Sequence, residues 1–212
     1  RRKYAVPLIL AGITVAACLP LFSNYLYFGH DLDYHLQRIT AMAAELSYGQ
    51  FPVRLTTDSL NGYGYANPLC YCELFLTLPA LLYNAWLPLR TCYQVYIFAV
   101  TLATAVIAYY SFGTITASRK LGLLGAGLLV LPYGALYRQY VLEGLYYIPH
   151  IAISFVVLGC AVRILRGGRR LAPAAGMVLF SFAAALGGPR QLFILNIPLT
   201  VAAALLCWLD AP

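Results

Sequence analysis

The residues best suited to chemistry lie directly after the first apolar stretch, in the run GHDLDYHLQR at positions 29–38. Asp31, His35 and Arg38 recur at steps of four and three, so a helix here would place all three on one face. A carboxylate, an imidazole and a guanidinium together can deprotonate a hydroxyl and hold a phosphate. The same spacing also suits an interfacial helix whose wet face, Glu45 included, is only solvated.

A second acid in this run, Asp33, raises the question of a metal ion. On a helix, Asp33 points roughly 200° away from Asp31, which separates the two carboxylates. In an extended loop, the same pair forms an Asp-x-Asp sequence that can bind a divalent cation such as Mg or Mn. His30 and His35 have no third ligand at a suitable spacing, so we expect no zinc site.

Apolar residues dominate the elements that must position these groups. Charged residues make up 10% of the chain, against roughly 25% in a soluble domain, and hydrophobic residues make up 62%. Runs long enough to cross ~30 Å of hydrocarbon recur along nearly the whole sequence, which predicts an all-α, polytopic transmembrane helical bundle. The seven runs cover residues 4–27, 68–89, 92–113, 121–137, 144–165, 171–187 and 191–209.

The distribution of charge indicates which runs cross the membrane. If all seven cross, the basic clusters at 119–120 and 163–170 lie opposite the basic N-terminus, against the positive-inside rule. Proline and polar residues interrupt the run 68–89, which is therefore predicted to lie at the interface or to dip in and return. Six helices then cross, the N-terminus is cytoplasmic, and residues 28–91 form an outer loop with juxtamembrane helices.

This topology places six of the seven acidic residues on the outer face, which favours an extracytoplasmic site. The net charge of +7 comes from basic residues at the ends of apolar runs, so no nucleic-acid partner is expected. In the outer loop, positions 31–48 have the periodicity of an amphipathic helix, which the GQFP sequence at 49–52 ends. The NGYGYANP sequence at 61–68 is turn-rich and aromatic, as is typical of a substrate-facing loop.

Three stretches of the outer loop carry a family resemblance: GHDLDYHLQRI, GQFPVRL and NGYGYANPL. They resemble the first outer loop of the bacterial membrane proteins labelled 6-pyruvoyl-tetrahydropterin synthase related, a family that is similar to the GT-C superfamily of glycosyltransferases. The likeness covers residues 1 to about 165 and is strongest over 29–90. In GT-C enzymes an acidic residue after the first span lies at the catalytic centre, and Asp31 is the matching position.

The resemblance implies transfer of a sugar from a polyprenyl-phosphate carrier to a glycan, lipid or protein acceptor outside the bacterial cytoplasmic membrane. Asp31 would act as general base while the acceptor hydroxyl displaces the lipid phosphate. Arginine suits the departing phosphate because its guanidinium can form two parallel hydrogen bonds. The residues expected to bind substrate are Asp33, His35, Arg38, Arg54, Arg138, Glu143 and Arg190. Some GT-C relatives use a divalent cation, for which Asp31 and Asp33 would be the ligands.

Other interpretations of these residues and of the chain stay open. Headgroup anchoring explains Arg54 equally well, and a structural ion pair explains Arg138 and Glu143. A transporter or flippase of a lipid-linked substrate needs the same charged cavity but no general base. A non-catalytic subunit that only packs against partners needs no cavity and no base. The chain starts at Arg1 and stops just after an apolar run, so we expect it to be the front part of a longer protein.

Overall fold

The chain is mainly helical in the part that the computed structural model describes, which comprises residues 5–22, 32–66, 68, 73–131, 147–167, 171–187, 193 and 197–209. These residues form no β-strand, only an isolated antiparallel bridge between Thr56 and Tyr65. The all-α prediction is confirmed for them. The helices are α1 (Ala5–Cys18, continued by a 3-10 turn Leu19–Phe22), α2 (Leu32–Ser47), α3 (Glu73–Asn84), α4 (Leu89–Thr116), α5 (Arg119–Val130), α6 (Tyr147–Leu165), α7 (Leu171–Gly187) and α8 (Ile197–Leu209).

Two helical segments in the described residues are long and apolar enough to cross a membrane. They are Ala5–Phe22, with a mean hydropathy of 2.3, and Leu89–Thr116, with a mean hydropathy of 1.8. Shorter apolar helical segments are Phe75–Asn84, Ala152–Leu165 and Leu171–Ala185. The twelve residues of α3 rise about 18 Å, and so do the twelve of α5, whose run is predicted to cross. The interfacial position predicted for the run 68–89 therefore stays a prediction. The six-crossing topology itself stays a prediction.

Helix α4 is the centre of the structure and contacts α1, α2, α3, α5 and α6. The 3-10 turn after α1 reaches the start of α4, where Gln94 Nε2 donates a hydrogen bond to the Leu21 carbonyl at 2.9 Å. Helix α5 turns back along α4 after a short connection, and Ser118 caps its first turn. Helix α6 packs beside the second half of α4, where the rings of Phe112 and Phe155 are 4.9 Å apart.

Close packing of α4 against α5 depends on two of the glycines in α5. A Cβ atom on Gly122 would lie 2.6 Å from the Tyr109 carbonyl oxygen, and one on Gly125 would lie 2.5 Å from the Phe112 ring. A Cβ on Gly127 would meet nothing nearer than 3.9 Å. Gly122 and Gly125 therefore let the two backbones approach, whereas Gly127 has no such role.

Basic residues gather at the end of α4 that faces its connection to α5. The Arg166 guanidinium donates hydrogen bonds to the Thr114 and Ile115 carbonyls, which belong to the last turn of α4. Arg119 and Lys120 begin α5 directly after that turn, and Arg163 lies in the last turn of α6. One end of the helical array therefore carries a concentrated positive charge.

Helices α2 and α3 form a layer against the opposite end of α4. Ile39, Leu76, Tyr93 and Ile97 are almost fully buried in the apolar cluster that joins these three helices. Asn84 Nδ2 donates a hydrogen bond of 2.8 Å to the Ala43 carbonyl, which fixes the end of α3 to α2. Tyr93, which belongs to this cluster, and Thr114, at the basic end, are 21 residues apart on α4, so about 32 Å separate the layer from the basic end.

Candidate functional site

Helix α2 occupies the segment predicted as the amphipathic helix, and its apolar face is the expected one. Leu36, Ile39 and Ala43 are buried. The prediction of a solvated polar face is wrong at two positions, because His35 is 5% exposed and Glu45 is 3% exposed. Helical periodicity places a residue on a face, but it does not show that the loop after α2 folds back onto Glu45.

Glu45 organises that loop. Its Oε1 atom accepts hydrogen bonds from the backbone nitrogen and the hydroxyl of Thr57, and its Oε2 atom accepts one of 2.9 Å from Gln50 Nε2. Gln50 extends the network, because its Oε1 atom accepts from the backbone nitrogens of Arg54 and Leu55. The loop has no regular secondary structure to pair its backbone N–H groups. The buried Glu45 carboxylate and Gln50 accept hydrogen bonds from several of them instead.

Residues 56–65, which we call the hairpin loop, follow this network and form a tight reversal. The backbone nitrogens of Thr56 and Tyr65 each donate to the other residue's carbonyl at 3.0 Å. Ser59 adds a 2.7 Å bond from its hydroxyl to that of Thr56. Leu60, Asn61, Gly62 and Gly64 all have positive φ angles, between 55° and 88°, and glycine and asparagine tolerate this region best.

The hairpin loop and α2 enclose a cleft of about 720 Å³. A volume of this order is within the usual range of small-molecule sites, roughly 300–1,000 Å³. One wall belongs to α2 and the opposite wall to the hairpin loop, with the buried side chain of Leu76 from α3 also contributing. The polar and aromatic lining residues are Tyr34, Gln37, Arg38, Thr40, Thr56, Asp58, Ser59, Asn61 and Tyr65.

Arg38 is the cationic residue that lines the cleft, and aromatic neighbours hold it. Its Nη1 atom lies 3.4 Å from His35 Nδ1, and its guanidinium carbon lies 5.8 Å from the centre of the Tyr34 ring. The Tyr34 and His35 rings are themselves 5.5 Å apart. A guanidinium stacked in this way keeps a defined orientation, which suits it to bind an anionic group that enters the cleft.

The structure separates the other predicted substrate residues from this cleft. Asp33 is exposed in the first turn of α2, Arg54 is exposed in the loop, and His35 is buried behind Arg38; none of them lines the cleft. Among the described residues, no three His, Cys, Asp or Glu side chains are grouped as metal ligands. The predicted site residues that lie outside the described residues are Asp31, Arg138, Glu143 and Arg190.

Sequence reasoning did not select Asp58, Asn61 or Gln37, although all three line the cleft. Asp58 counts among the acids of the outer loop, and Asn61 starts the turn-rich NGYGYANP sequence. The sequence signal that could have indicated Asp58 is its position three residues before the Asn61-Gly62 turn. Of the aromatic residues in that sequence, Tyr65 lines the cleft, whereas Tyr63 is 92% exposed.

Comparisons of this chain with protein-family models, with curated proteins and with solved structures found no significant match. The chemistry of the site therefore has to be inferred from its own groups. The cleft offers a guanidinium for an anion, and a carboxylate, an amide and hydroxyls that can bind the hydroxyl groups of a ligand.

Proposed function

We propose that this chain is the membrane module of a GT-C glycosyltransferase that uses a polyprenyl-phosphate sugar at the extracytoplasmic face of the bacterial cytoplasmic membrane. The observation that carries the proposal is the cleft, which places the Arg38 guanidinium among hydroxyl-binding groups at one end of an apolar helical array. A phosphorylated sugar on a lipid carrier has the matching parts: an anion, a set of hydroxyls and an apolar tail.

The surface of the helices supports membrane insertion. Large apolar side chains on α1, α5 and α7 are highly exposed, among them Leu8 at 70%, Leu128 at 64% and Val178 at 72%. Lipid-facing helices expose large apolar side chains in this way, because the surrounding hydrocarbon is itself apolar. The layer that carries the cleft and the basic end contact α4 at points about 32 Å apart, which suits a cytoplasmic basic end and an outer cleft.

In the proposed reaction, the acceptor hydroxyl attacks the anomeric carbon of the donor sugar. A new carbon–oxygen bond forms, the bond from that carbon to the phosphate oxygen breaks, and the hydroxyl proton passes to a carboxylate, assigned to Asp31 by the resemblance. Negative charge grows on the departing polyprenyl phosphate. The Arg38 guanidinium would stabilise this charge in a cleft that is partly shielded from water.

The test is turnover of a panel of polyprenyl-phosphate sugars by the full-length protein in nanodiscs. We expect the Arg38→Gln variant to lose roughly 100- to 1,000-fold in turnover, because an uncharged side chain cannot neutralise the leaving phosphate. Arg119→Gln removes the same charge at the opposite end of the array and serves as the matched control. Asp31→Asn should also lose turnover while it still binds the lipid-linked sugar.

The outcomes of this test separate the competing functions. Turnover that needs Arg38 but not Arg119 supports the transferase. Binding of a lipid-linked sugar without turnover in any protein would favour a transporter or flippase. Equal turnover by wild type and Arg38→Gln would contradict the assigned role of the cleft.

The orientation in the membrane is tested by labelling single cysteines in a background without the six native ones. Tyr63→Cys lies in the hairpin loop at a site that is 92% exposed, and Lys120→Cys lies in the first turn of α5. We expect a membrane-impermeant maleimide to label Tyr63→Cys in intact spheroplasts and Lys120→Cys only after permeabilisation. Trp86→Cys, also highly exposed, should behave as Tyr63→Cys does. Labelling of all three from outside would contradict the crossing by α4.

A further inference from the structure

The two walls of the cleft differ in chemistry. The α2 wall carries the positive charge of Arg38, with Tyr34 beside it. The hairpin loop contributes the Asp58 carboxylate, the Asn61 amide and the Ser59 hydroxyl. Together these groups offer both donors and acceptors, which matches the hydroxyls of a sugar ring, each of which can donate one hydrogen bond and accept others.

The hairpin loop is fixed in place by contacts within the chain. Its two ends are joined by the reciprocal bonds of Thr56 and Tyr65, and Gly64 donates a further backbone bond to Ser59 at 3.0 Å. Thr57, the residue before Asp58, is held on the buried Glu45 carboxylate. Asp58 and Asn61 therefore lie on a preorganised loop. A ligand that binds to them loses little free energy to ordering the loop.

Charge determines how a sugar phosphate would lie in the cleft. The Asp58 carboxylate repels a phosphate, whereas the Arg38 guanidinium attracts one, so the phosphate should lie at the α2 wall and the sugar ring at the hairpin loop. A metal cation in the same cleft would be repelled by Arg38. Neutral hydroxyls are compatible with both charged groups, and the volume of about 720 Å³ accommodates a sugar with its phosphate.

From these observations we propose that the hairpin loop is the sugar-selecting wall of the site, with Asp58 and Asn61 as the residues that distinguish sugars by the configuration of their hydroxyls. Tyr65, at the end of the loop, provides an aromatic surface for the ring. The assignment rests on the proposed function for its choice of a saccharide as ligand. Selectivity arises because a hydroxyl of the wrong configuration leaves the carboxylate or the amide without its hydrogen bond.

The test measures binding of free neutral monosaccharides to the full-length protein in nanodiscs by saturation-transfer difference NMR. The panel pairs epimers, such as glucose with galactose and with mannose. We expect the wild type to prefer one epimer, and Asp58→Asn to weaken binding of that sugar about tenfold, because the charge-assisted hydrogen bond is lost. Asn61→Gly removes the amide but keeps the positive φ of 59° available, and it should reduce the preference between epimers by a similar factor.

Tyr48→Ala is the control, since Tyr48 is 71% exposed beside α2 and does not line the cleft. It should bind as the wild type does, and Tyr65→Ala should bind more weakly. Thermal unfolding of each variant checks that the fold is intact. An unchanged epimer preference in both folded hairpin variants, or no sugar binding by the wild type, would overturn the assignment.

The same samples, assayed for turnover, separate this assignment from the proposed function. If the wild type turns over a donor, and the Asp58 and Asn61 variants keep the same epimer preference, only the sugar-selecting role is contradicted. Sugar binding that depends on Asp58, with no turnover of any polyprenyl-phosphate sugar, would contradict glycosyl transfer and support the saccharide site.

Discussion

The Glu45→Ala protein is expected to lose the fixed geometry of the hairpin loop and about 100-fold in turnover, because a misplacement of about 1 Å can have that effect. The substitution removes both carboxylate oxygens, which accept hydrogen bonds from Thr57 and from the Gln50 side chain. Leaving such partly buried donors unsatisfied costs about 1–3 kcal/mol. Hydrogen exchange is the direct measurement, and the amides of Thr57 and Gly64 should exchange faster in the variant.

Two further variants make this prediction specific to the Glu45 network. Gln50→Ala removes the side chain that joins Glu45 to the backbone of Arg54 and Leu55, so it should loosen the same loop. The double variant should be less affected than the sum of the two single ones, since both act on one network. Ser47→Ala changes an exposed hydroxyl at the end of α2 and should leave exchange in the loop unchanged. Full protection of Thr57 in Glu45→Ala would contradict the assigned role.

Gly122→Leu is expected to destabilise the packing of α4 against α5 by about 3 kcal/mol, as an overpacked interface does. The first side-chain carbon would lie 2.6 Å from the Tyr109 carbonyl oxygen and 3.2 Å from the backbone of Gly113. Neither contact involves the flexible end of a side chain, so the two helices must move apart. Unfolding in mixed micelles of SDS and a mild detergent, followed by tryptophan fluorescence, gives the change in the free energy of unfolding.

Gly122→Ala adds a single carbon at the same close contact, and Gly127→Ala, five residues further along α5, is its matched control. Its added carbon meets only the end of the Leu131 side chain, at 3.9 Å, which is an ordinary contact. Alanine also favours a helix over glycine by about 1 kcal/mol, so this variant should be as stable as the wild type or more stable. If Gly122→Ala and Gly127→Ala have equal stabilities, the close approach of α4 and α5 does not depend on Gly122.

The apolar runs and their interruptions predicted much of the fold. The apolar runs correctly indicated helices, and α7 (Leu171–Gly187) has the predicted bounds. The run 68–89 contains the helix α3 (Glu73–Asn84), and its predicted interfacial position stays a prediction. These features are local: hydropathy, proline and glycine act on the chain regardless of what packs against it.

The candidate site was only partly predictable, because the conformation of the loop after α2 brings its residues together. Arg38 was identified from its type and its helical spacing, and it lines the cleft. His35 shares that spacing but is buried, and Glu45 binds the backbone of the loop instead of facing water. A helical wheel predicts which residues share a face, but it does not show what covers that face.

The sequence by itself therefore determined the class of the protein, all-helical and rich in apolar segments, because hydrophobic burial and helix formation depend on composition and short-range periodicity. Only the tertiary structure decided that Asp58 and Asn61 face Arg38 across one cleft. Twenty residues or more separate them from Arg38 along the chain, and their meeting depends on the Glu45 carboxylate, whose hydrogen bonds to Thr57 and Gln50 hold the hairpin loop in place.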